Sequence, residues 1–569
     1  MLSPCARLAA IGLVLLAGCS RKSEPSGYLV TDSGVTYSAN GWSGAERAEY
    51  YHLAEGSELT PYALVANLNS VKTGKPFLED MERFGFLPDA KSATNPYGLP
   101  VGMTVGRSRN ASAKGVDMAG FSCAACHAGE LTYHGKSVRI DGAPAMIDLQ
   151  AYQVEFQASL DATMRNPKAL LALVIAMDQN RKMADTPSAD SAAPYAGDAS
   201  LQGADDVKAV PNADPAFRSI SSQAADSAQP PAPQPGFPDR MKTDIAFLKA
   251  RLAHIRNGKL LLDGTEPGPG RIDAFGAARN LLFPKSAMKM QSPVSFPFLW
   301  DVPDTTQQQV AGEERWIHYD GNTNSILERN IGQALGMGAV FDPTTYESTL
   351  RIGNLHVLEV LTHKLQPPKW PEEVLGPIDQ AKAQKGETIF KEKCEGCHQD
   401  TLYALADVGT DPMRANSFGQ PVGTAPFPAA VAPILSGLKK QAFKDDGISD
   451  AAQATMDAKQ VVWRATGKYM ARKLNGIWAT APYLHNGSVP TLYHLLHPEV
   501  RPARFLVGNR EYDPAKLGYQ SETSNTNVNV WAYDTTKPGN SNIGHSGAQF
   551  GTALAEDEKA ALLEYLKKY

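Results

Sequence analysis

A chain of 569 residues is long enough to form two or three domains, each with its own hydrophobic core. Hydrophobic residues make up 43% of the chain and charged residues 20%, which is the composition of an ordinary globular protein. The formal net charge of −5 gives no electrostatic reason to expect nucleic acid or an anionic membrane surface as a partner.

The first 19 residues have the pattern of a bacterial lipoprotein signal peptide. Arg7 supplies a positive charge, and the apolar run from Leu8 to Leu16 is too short to span a bilayer. The run ends in the letters LAGC, which resemble a lipobox, so we expect cleavage before Cys19 and acylation of its thiol. The alternative is a secretory signal in which Cys19 has no role. Both signal types predict export from the cytoplasm. Lipidation further predicts a periplasmic protein that is anchored to a bacterial membrane, and we expect the outer membrane.

Two C-x-x-C-H motifs contain all the cysteines after residue 19. In this motif the two thiols add to the vinyl groups of a haem, and the adjacent histidine binds the iron. A zinc site is the alternative, but the cysteine pairs lie 268 residues apart (126 to 394), far from zinc-ribbon spacing. We therefore predict two covalently bound haem c groups. Their attachment residues are Cys123, Cys126 and His127 for the first, and Cys394, Cys397 and His398 for the second.

The rest of the chain divides by composition. Residues 20–45 are polar and rich in Ser and Gly, which predicts a tether. Residues 184–238 are rich in Ala, Asp, Ser, Gln and Pro and contain too little apolar surface to offset the ordering entropy, which predicts a disordered insertion. Apolar residues recur at helical spacing from Lys242 to Ile255, and a Pro-rich hinge at 366–371 follows later.

The last third of the chain has the pattern of a class I cytochrome c fold. Residues 379–393 predict an amphipathic helix that leads directly into Cys394, and residues 556–569 predict a helix at the end of the chain. We therefore predict a C-terminal cytochrome c domain at 376–569 and an N-terminal haem domain at 46–375. The fold class is expected to be mainly α, with two cytochrome c-like haem domains, the N-terminal one enlarged by loops and the insertion.

The sixth ligand of each iron decides between electron transfer and catalysis. His545 lies in a polar, glycine-rich loop before the last helix, and no methionine follows Met470. We predict that His398 and His545 are the two axial ligands of the second haem, which lowers its potential relative to His/Met ligation. The alternative is that His545 belongs to a surface loop.

The first haem has no well-placed second histidine. His134 lies only seven residues after His127, too close to reach the opposite face. The segment 296–300, which ends in Trp300, supplies bulky apolar groups for a roof over an open iron, although ordinary core packing explains it equally well. An open iron in an apolar pocket is expected to bind oxygen or a peroxide.

Several stretches resemble a known group of proteins. The letters MARKLNGIWATAPYLHNGS at 470–488 resemble the signature of the dihaem bacterial cytochrome c peroxidase superfamily, which includes the MauG enzymes. The letters WIHYDG at 316–321 resemble that superfamily's aromatic-Asp-Gly segment. The loop around His545 and the segments 95–101 and 139–144 are similar to the branch that contains rubber-cleaving oxygenases, fatty-acid dioxygenases and diol synthases.

The resemblance implies roles for individual residues. Tyr319 would lie between the haems and relay electrons. Glu328 would act as a distal acid in O–O chemistry, the alternative being a solvent-facing helix glutamate. Carbonyl groups of Thr480 and Pro482 would hold an inter-domain calcium, since a hard cation prefers oxygen ligands.

Two further residues, Arg472 and His485, would orient haem propionates, although structural packing would also account for them. Together these features predict a dioxygenase-like haem oxidoreductase that activates oxygen or a hydroperoxide at the N-terminal haem and oxygenates an unsaturated fatty acid or polyisoprenoid. Its predicted catalytic residues are Trp300, Tyr319 and Glu328. The alternatives are a peroxidase that reduces hydrogen peroxide with electrons from a small redox protein, and a plain electron-transfer dihaem cytochrome.

Overall fold

The computed structural model describes residues 29–32, 34–110, 116–184, 263–302, 315–457, 460–522 and 530–569, together with a few positions between 236 and 246. The predicted signal peptide with Cys19, nearly all of the predicted insertion and most of the helical pattern at 242–255 lie outside these residues.

Short strands pair into small sheets throughout the described chain. The largest sheet has four strands in the order β1-β2-β7-β6, and β2 and β7 are its parallel pair. The strands are β1 Leu29–Asp32, β2 Val35–Ser38, β3 Thr60–Pro61, β4 Met103–Arg107, β5 Asp117–Phe121, β6 Ala128–Tyr133, β7 Lys136–Asp141, β8 Arg271–Ile272, β9 Val294–Ser295, β10 Thr401–Ala404, β11 Lys468–Ala471, β12 Arg504–Val507, β13 Tyr512–Asp513, β14 Gly518–Tyr519 and β15 Trp531–Asp534.

Helices carry most of the regular structure. The α-helices are α1 Gly44–His52, α2 Tyr62–Asn67, α3 Cys123–Cys126, α4 Leu149–Arg165, α5 Pro167–Ala184, α6 Ala274–Leu282, α7 Ile326–Gly336, α8 Ile352–Lys364, α9 Glu372–Leu375, α10 Gln380–Lys393, α11 Leu405–Val408, α12 Met413–Ser417, α13 Phe427–Asp445, α14 Asp450–Met456, α15 Leu492–Leu496 and α16 Glu556–Lys568. Short 3₁₀ helices are Phe77–Phe84, Pro284–Ser286, Ile477–Ala479, Pro498–Val500 and Ala548–Phe550. Among these helices, none combines the length and hydropathy of a bilayer-spanning segment.

The prediction of a mainly α fold is therefore only partly right, because the protein combines helices with sheets. Two-residue strands such as β8 and β9 are too short to leave a periodic pattern in the sequence. The longer hairpin β6–β7 follows the first haem motif directly and turns at His134 and Gly135, both of which have positive φ angles of 48° and 77°. Two such residues form the tight turn that matches the twist of paired strands.

The predicted tether at 20–45 is wrong for its described part. Residues 29–32 and 35–38 form the hairpin β1–β2, whose register pairs Leu29 with Ser38. Trp42 is 6% exposed, and its indole donates to the carbonyl of Leu361 at 2.7 Å. This segment is therefore part of the N-terminal core, and its polar composition reflects an exposed sheet edge.

The predicted pair of helices around the second motif is confirmed. Helix α10 ends at Lys393, immediately before Cys394, and α16 packs across it. Gly386 makes this close approach possible, because a Cβ there would lie 2.0 Å from the carbonyl oxygen of Ala561. The ring of Phe390 lies 5.3 Å from the ring of Tyr565 in the same contact.

The main hydrophobic core crosses the predicted domain boundary at 375/376. Trp300 from the N-terminal part and Trp478 from the C-terminal part are both fully buried in it. The backbone of Thr132 in β6 donates to the carbonyl of Arg510 at 2.7 Å. The two predicted haem domains thus share one core, and their limits stay a prediction.

Candidate functional site

The first C-x-x-C-H motif begins where strand β5 ends. Cys123 and Cys126 are the first and last residues of the single turn of α3, a spacing that suits attachment of both thiols to one haem. The turn packs against Gly102, where a Cβ would lie 2.0 Å from the amide nitrogen of Ala125. Burial, followed by the carboxylate of Glu55, raises the pKa of the Cys126 thiol to about 12.

His127 is held in the orientation that an iron ligand needs. Its Nδ1 lies 2.8 Å from the carbonyl oxygen of Pro297, to which it donates, and this leaves Nε2 as the basic nitrogen. Burial, assisted by the nearby guanidinium of Arg329, lowers the pKa of His127 to about 3, so the ring is neutral. A neutral imidazole whose second nitrogen donates to a carbonyl is the usual arrangement of a metal-binding histidine.

A large apolar cavity opens next to these three residues. It contains about 2020 Å³ of space that no protein atom fills, including space open to solvent, and Cys123, Cys126 and His127 all line it. Cys123, Cys126 and His127 therefore line one mostly apolar space, and these residues fit a covalently attached haem. Much of the apolar wall comes from Phe275, Leu282, Phe296, Phe298, Phe427 and Val431.

The sequence reasoning missed two groups near the first motif, of which His318 lines the cavity. Glu55 is fully buried, and the thiol of Cys123 donates to its carboxylate at 3.3 Å. Burial raises the pKa of Glu55 from 4.5 to about 7. His318 lines the cavity with a φ angle of 72° and a buried Nε2 that has no hydrogen-bond partner. His318 stands within the WIHYDG letters, which gave a signal, whereas nothing in the sequence singled out Glu55.

The second motif is supported in the same way as the first. His398 Nδ1 lies 2.7 Å from the backbone carbonyl oxygen of Arg472, to which it donates. Burial lowers the pKa of His398, which keeps the ring neutral. Cys394 is half-buried and Cys397 is exposed, so one edge of this site faces the solvent. These residues also fit a covalent haem.

The loop that carries His545 lies close to His398. Burial, then the neighbouring His398 and Arg501, lower the pKa of His545 to about 3. Arg501 donates to the carbonyls of Gly544 at 2.8 Å and His545 at 3.1 Å, and the amide of His545 donates to Val408. His545 Nδ1 is buried without a partner. A neutral histidine on a loop that Arg501 holds in place would suit an iron ligand, and its ligation together with His398 stays a prediction.

The three predicted catalytic residues take different positions. Tyr319 lines the cavity, and its hydroxyl donates to the carbonyl of Ser295 at 3.0 Å. Trp300 lies behind the cavity wall, stacked 4.9 Å from Phe298, with its indole donating to Asn475 at 2.7 Å. The apolar wall beside His127 is therefore formed by phenylalanines, with Trp300 behind them.

Glu328 also lies outside the cavity lining. Its carboxylate accepts the indole N–H of Trp463 at 2.7 Å and pairs with Lys439 at 2.8 Å. Lys439 in turn pairs with Asp457 at 2.6 Å. This geometry favours a structural role that joins α7, α13 and the chain after α14, and a catalytic role for Glu328 stays a prediction.

The predicted calcium residues lie near a buried arginine. Within the part of the chain that the structure describes, no three His, Cys, Asp or Glu side chains form a metal-binding cluster, so a calcium at Thr480 and Pro482 would depend on carbonyl and water oxygens. Arg271 is buried close by and donates to neutral oxygens, including Asn486 at 3.1 Å and the Asn540 side chain at 2.8 Å. Calcium binding stays a prediction.

Comparisons with known proteins agree with the motifs. Residues 467–506 match a family described as RoxA-like, cytochrome c-like. The chain is 28% identical to the uncharacterised protein y4iJ of Sinorhizobium fredii over 94% of its own length and 93% of that protein. It is 33% identical to the uncharacterised protein y4iM of the same organism over 54% of its own length and 74% of that protein.

Proposed function

The chain belongs to the family of the y4iJ and y4iM proteins and carries a RoxA-like, cytochrome c-like segment, and from this premise we propose that it is a dihaem c-type oxygenase of unsaturated lipids. The cytochrome c-like segment implies covalent haem c and the general class of haem oxidoreductases. Two haems, the lipid substrate and oxygen as oxidant are the proposed refinements.

The observation that carries this proposal is the apolar cavity at the first motif. A fatty acid or polyisoprenoid chain needs an extended apolar space, and the cavity reaches from His127 to α6 and α13. Phe296 and Phe298 line the cavity together with His127 and would limit the access of water there, which guards against proton leakage and side reactions. When bound, the haem supplies an iron at which oxygen or a hydroperoxide is activated.

Individual residues of the chain have three further roles in the proposed mechanism. The carbonyl of Pro297 keeps His127 oriented and neutral. Tyr319 lines the cavity, and its backbone carbonyl accepts from Met470 at 2.7 Å in the strand next to the second motif, which supports an electron-relay role. His545 would complete a low-potential second haem with His398.

Localisation and partners are part of the same proposal. Acylation of Cys19 would anchor the protein in the periplasm, by expectation on the outer membrane, where hydrophobic chains are available as substrates. A small redox protein is the proposed electron donor in the peroxidase alternative, and a calcium at Thr480 and Pro482 is the proposed second cofactor.

The experiment is incubation of the purified holoprotein with isotopically labelled oxygen gas and either oleate or polyisoprene, followed by mass spectrometry of the products. Incorporation of label into one lipid is expected. If no lipid takes up label while peroxide is reduced rapidly by reduced cytochrome, the peroxidase alternative replaces the proposal.

Variants of one cavity residue test whether the lipid chain binds in this cavity. Ala278 lines the cavity, and Ala278→Phe would fill part of the space for the lipid chain, whereas Ala278→Ser keeps its size. We expect Ala278→Phe to lose most of the lipid oxygenation and Ala278→Ser to retain it. Equal activity of both variants on lipid would place the substrate elsewhere.

A further inference from the structure

One arginine joins the supports of the two motif histidines. The imidazole of His127 donates to the carbonyl of Pro297 at 2.8 Å. The carbonyl of the next residue, Phe298, accepts from the guanidinium of Arg472 at 3.0 Å. The backbone carbonyl of Arg472 accepts from the imidazole of His398 at 2.7 Å. Three hydrogen bonds thus connect the two imidazoles through a short peptide segment and one side chain.

The side chain of Arg472 is held rigidly in this bridge. Its second terminal nitrogen donates to the carbonyl of Trp300 at 3.3 Å, and its guanidinium carbon lies 3.8 Å from the centre of the Phe298 ring. A planar guanidinium that binds two carbonyls and stacks on a ring cannot be replaced by an ammonium group without losing this geometry. Arg472 is only partly accessible to solvent, so water screens its charge incompletely.

The position of the charge also matters. The side chain of Arg472 lines the same cavity as His127, while its backbone carbonyl accepts directly from the second histidine. A partly buried positive charge favours the state of an adjacent iron that carries less positive charge, which is the reduced state.

We infer that Arg472 is a positioning residue that couples the two haem sites, by linking the imidazoles of His127 and His398 and by raising the potentials of both centres. This inference rests on the proposed presence of two haems. The step concerned is the transfer of one electron from the reduced centre at His398 to the oxidised centre at His127, with no bond formed or broken and with an added chemical reductant as the source.

Two substitutions separate the bridge from the charge. Arg472→Lys keeps the positive charge and loses the planar contact with the carbonyls of Phe298 and Trp300, whereas Arg472→Gln loses both. Arg279→Gln is the matched control, since Arg279 is also buried and donates to backbone carbonyls, those of Gln420 and Pro421, without contact to either histidine.

The measurements use full-length holoprotein. Intact mass first establishes that each variant holds two haems. Midpoint potentials come from spectroelectrochemical titration, and the inter-haem rate comes from absorbance changes after flash photolysis of carbon monoxide from the partly reduced protein. We expect both Arg472 variants to slow the inter-haem rate by about tenfold. We expect only Arg472→Gln to lower the potentials, by about 59 mV, which is a tenfold change in a one-electron equilibrium.

The outcomes are distinct. The bridging role of Arg472 would be overturned if both Arg472 variants transferred electrons between the haems as fast as wild type and Arg279→Gln do. Equal potentials in Arg472→Gln and wild type would overturn the role of the charge. If Arg472→Gln does not fold, Arg472→Lys still tests the bridge and Arg472→Met tests the charge.

A wild-type mass with fewer than two haems contradicts the proposed function itself, whereas two haems without lipid oxygenation contradict only the proposed substrate.

Discussion

Single residues at the first site are held in uncharged forms by burial. His127 is neutral because its pKa is lowered to about 3, and Glu55 takes up a proton near neutral pH because its pKa is raised to about 7. Both shifts have the same cause, since an apolar environment disfavours the charged form of an acid and of a base alike. Burial thus keeps these two side chains uncharged, while the guanidinium of Arg329, which lines the cavity, acts on Cys126 and His127.

Glu55 makes the stability of the protein depend on pH. Its folded pKa of about 7 lies above the ordinary value of 4.5, so the folded protein binds this proton more tightly than the unfolded chain. The resulting stabilisation is fully present below pH 4.5 and is lost as the pH rises through 7, with a total change of roughly 3 kcal/mol. In Glu55→Gln, which cannot titrate, we expect this loss to disappear.

Denaturant unfolding of the holoprotein between pH 5 and 8 measures this difference. Glu79→Gln serves as the control, since Glu79 is exposed on the surface. A pH profile of Glu55→Gln that is parallel to that of wild type would contradict the buried, protonated state of Glu55.

The assignment of His545 is tested by the spin state of the second iron. His545→Ala is expected to convert one low-spin centre to high spin and leave the other unchanged, because removal of an axial imidazole weakens the ligand field. His497→Gln is the matched control, since His497 is buried in the same domain and bonds to Glu556 at 3.0 Å. Electron paramagnetic resonance distinguishes the two forms. A full low-spin signal in His545→Ala would assign the ligand to another residue.

At the scale of elements, α10 and α16 form the frame of the second motif. The motif begins at the residue after the end of α10, so the direction of this helix sets where Cys394 and His398 lie. The two helices approach closely at Gly386. At the start of α10 the amide of Asp379 donates to the carboxylate of Glu564 in α16 at 2.7 Å. The carboxylate of Asp379 forms an ion pair with Lys382 at 3.3 Å.

The close approach predicts a sensitive position. In Gly386→Ala the new methyl group would meet the backbone of Ala561, which cannot move without shifting α16. Overpacking of this kind costs about 1–3 kcal/mol, so we expect a lower thermal midpoint and an altered spectrum of the second haem. Gln384→Ala, at an exposed position of the same helix, is expected to leave both unchanged. Circular dichroism and absorbance during heating provide the two measurements.

At the scale of the whole molecule, the two predicted domains are built around a common core. Trp300 donates to Asn475, and Trp478 donates to Pro368 at 3.1 Å, so each tryptophan reaches across the predicted boundary. Glu130 of β6, before the predicted boundary, forms an ion pair at 3.1 Å with Arg510, which lies after it in the sequence. A core of this kind couples the folding of the two halves.

We therefore expect one cooperative unfolding transition. Calorimetry and the haem absorbance should report the same midpoint, because loss of either half exposes the apolar surface of the other. Trp300→Ala, which leaves a large cavity in the shared core, should lower that midpoint by an amount that corresponds to about 3–5 kcal/mol. Two separate transitions in the wild-type protein would show that the halves fold independently.

The sequence by itself determined the chemistry of attachment and the helices next to it. The spacing of two cysteines and a histidine is set by covalent geometry within one helical turn, so Cys123 to His127 and Cys394 to His398 were readable without a fold. Helices α10 and α16 were readable for a similar reason, since a long amphipathic pattern has a period that tertiary contacts seldom override.

Only the tertiary structure decided which distant residues meet. The fully buried state of Glu55, the displacement of Trp300 and Glu328 from the cavity lining, and the bridge through Arg472 all depend on contacts between segments separated by tens to hundreds of positions. Local sequence carries no record of such contacts, because burial and hydrogen-bond partners are properties of the assembled core. The hairpin at residues 29–38 is another feature that only the tertiary structure decided. Its polar sequence predicts a tether, whereas in the structure its second strand pairs with β7.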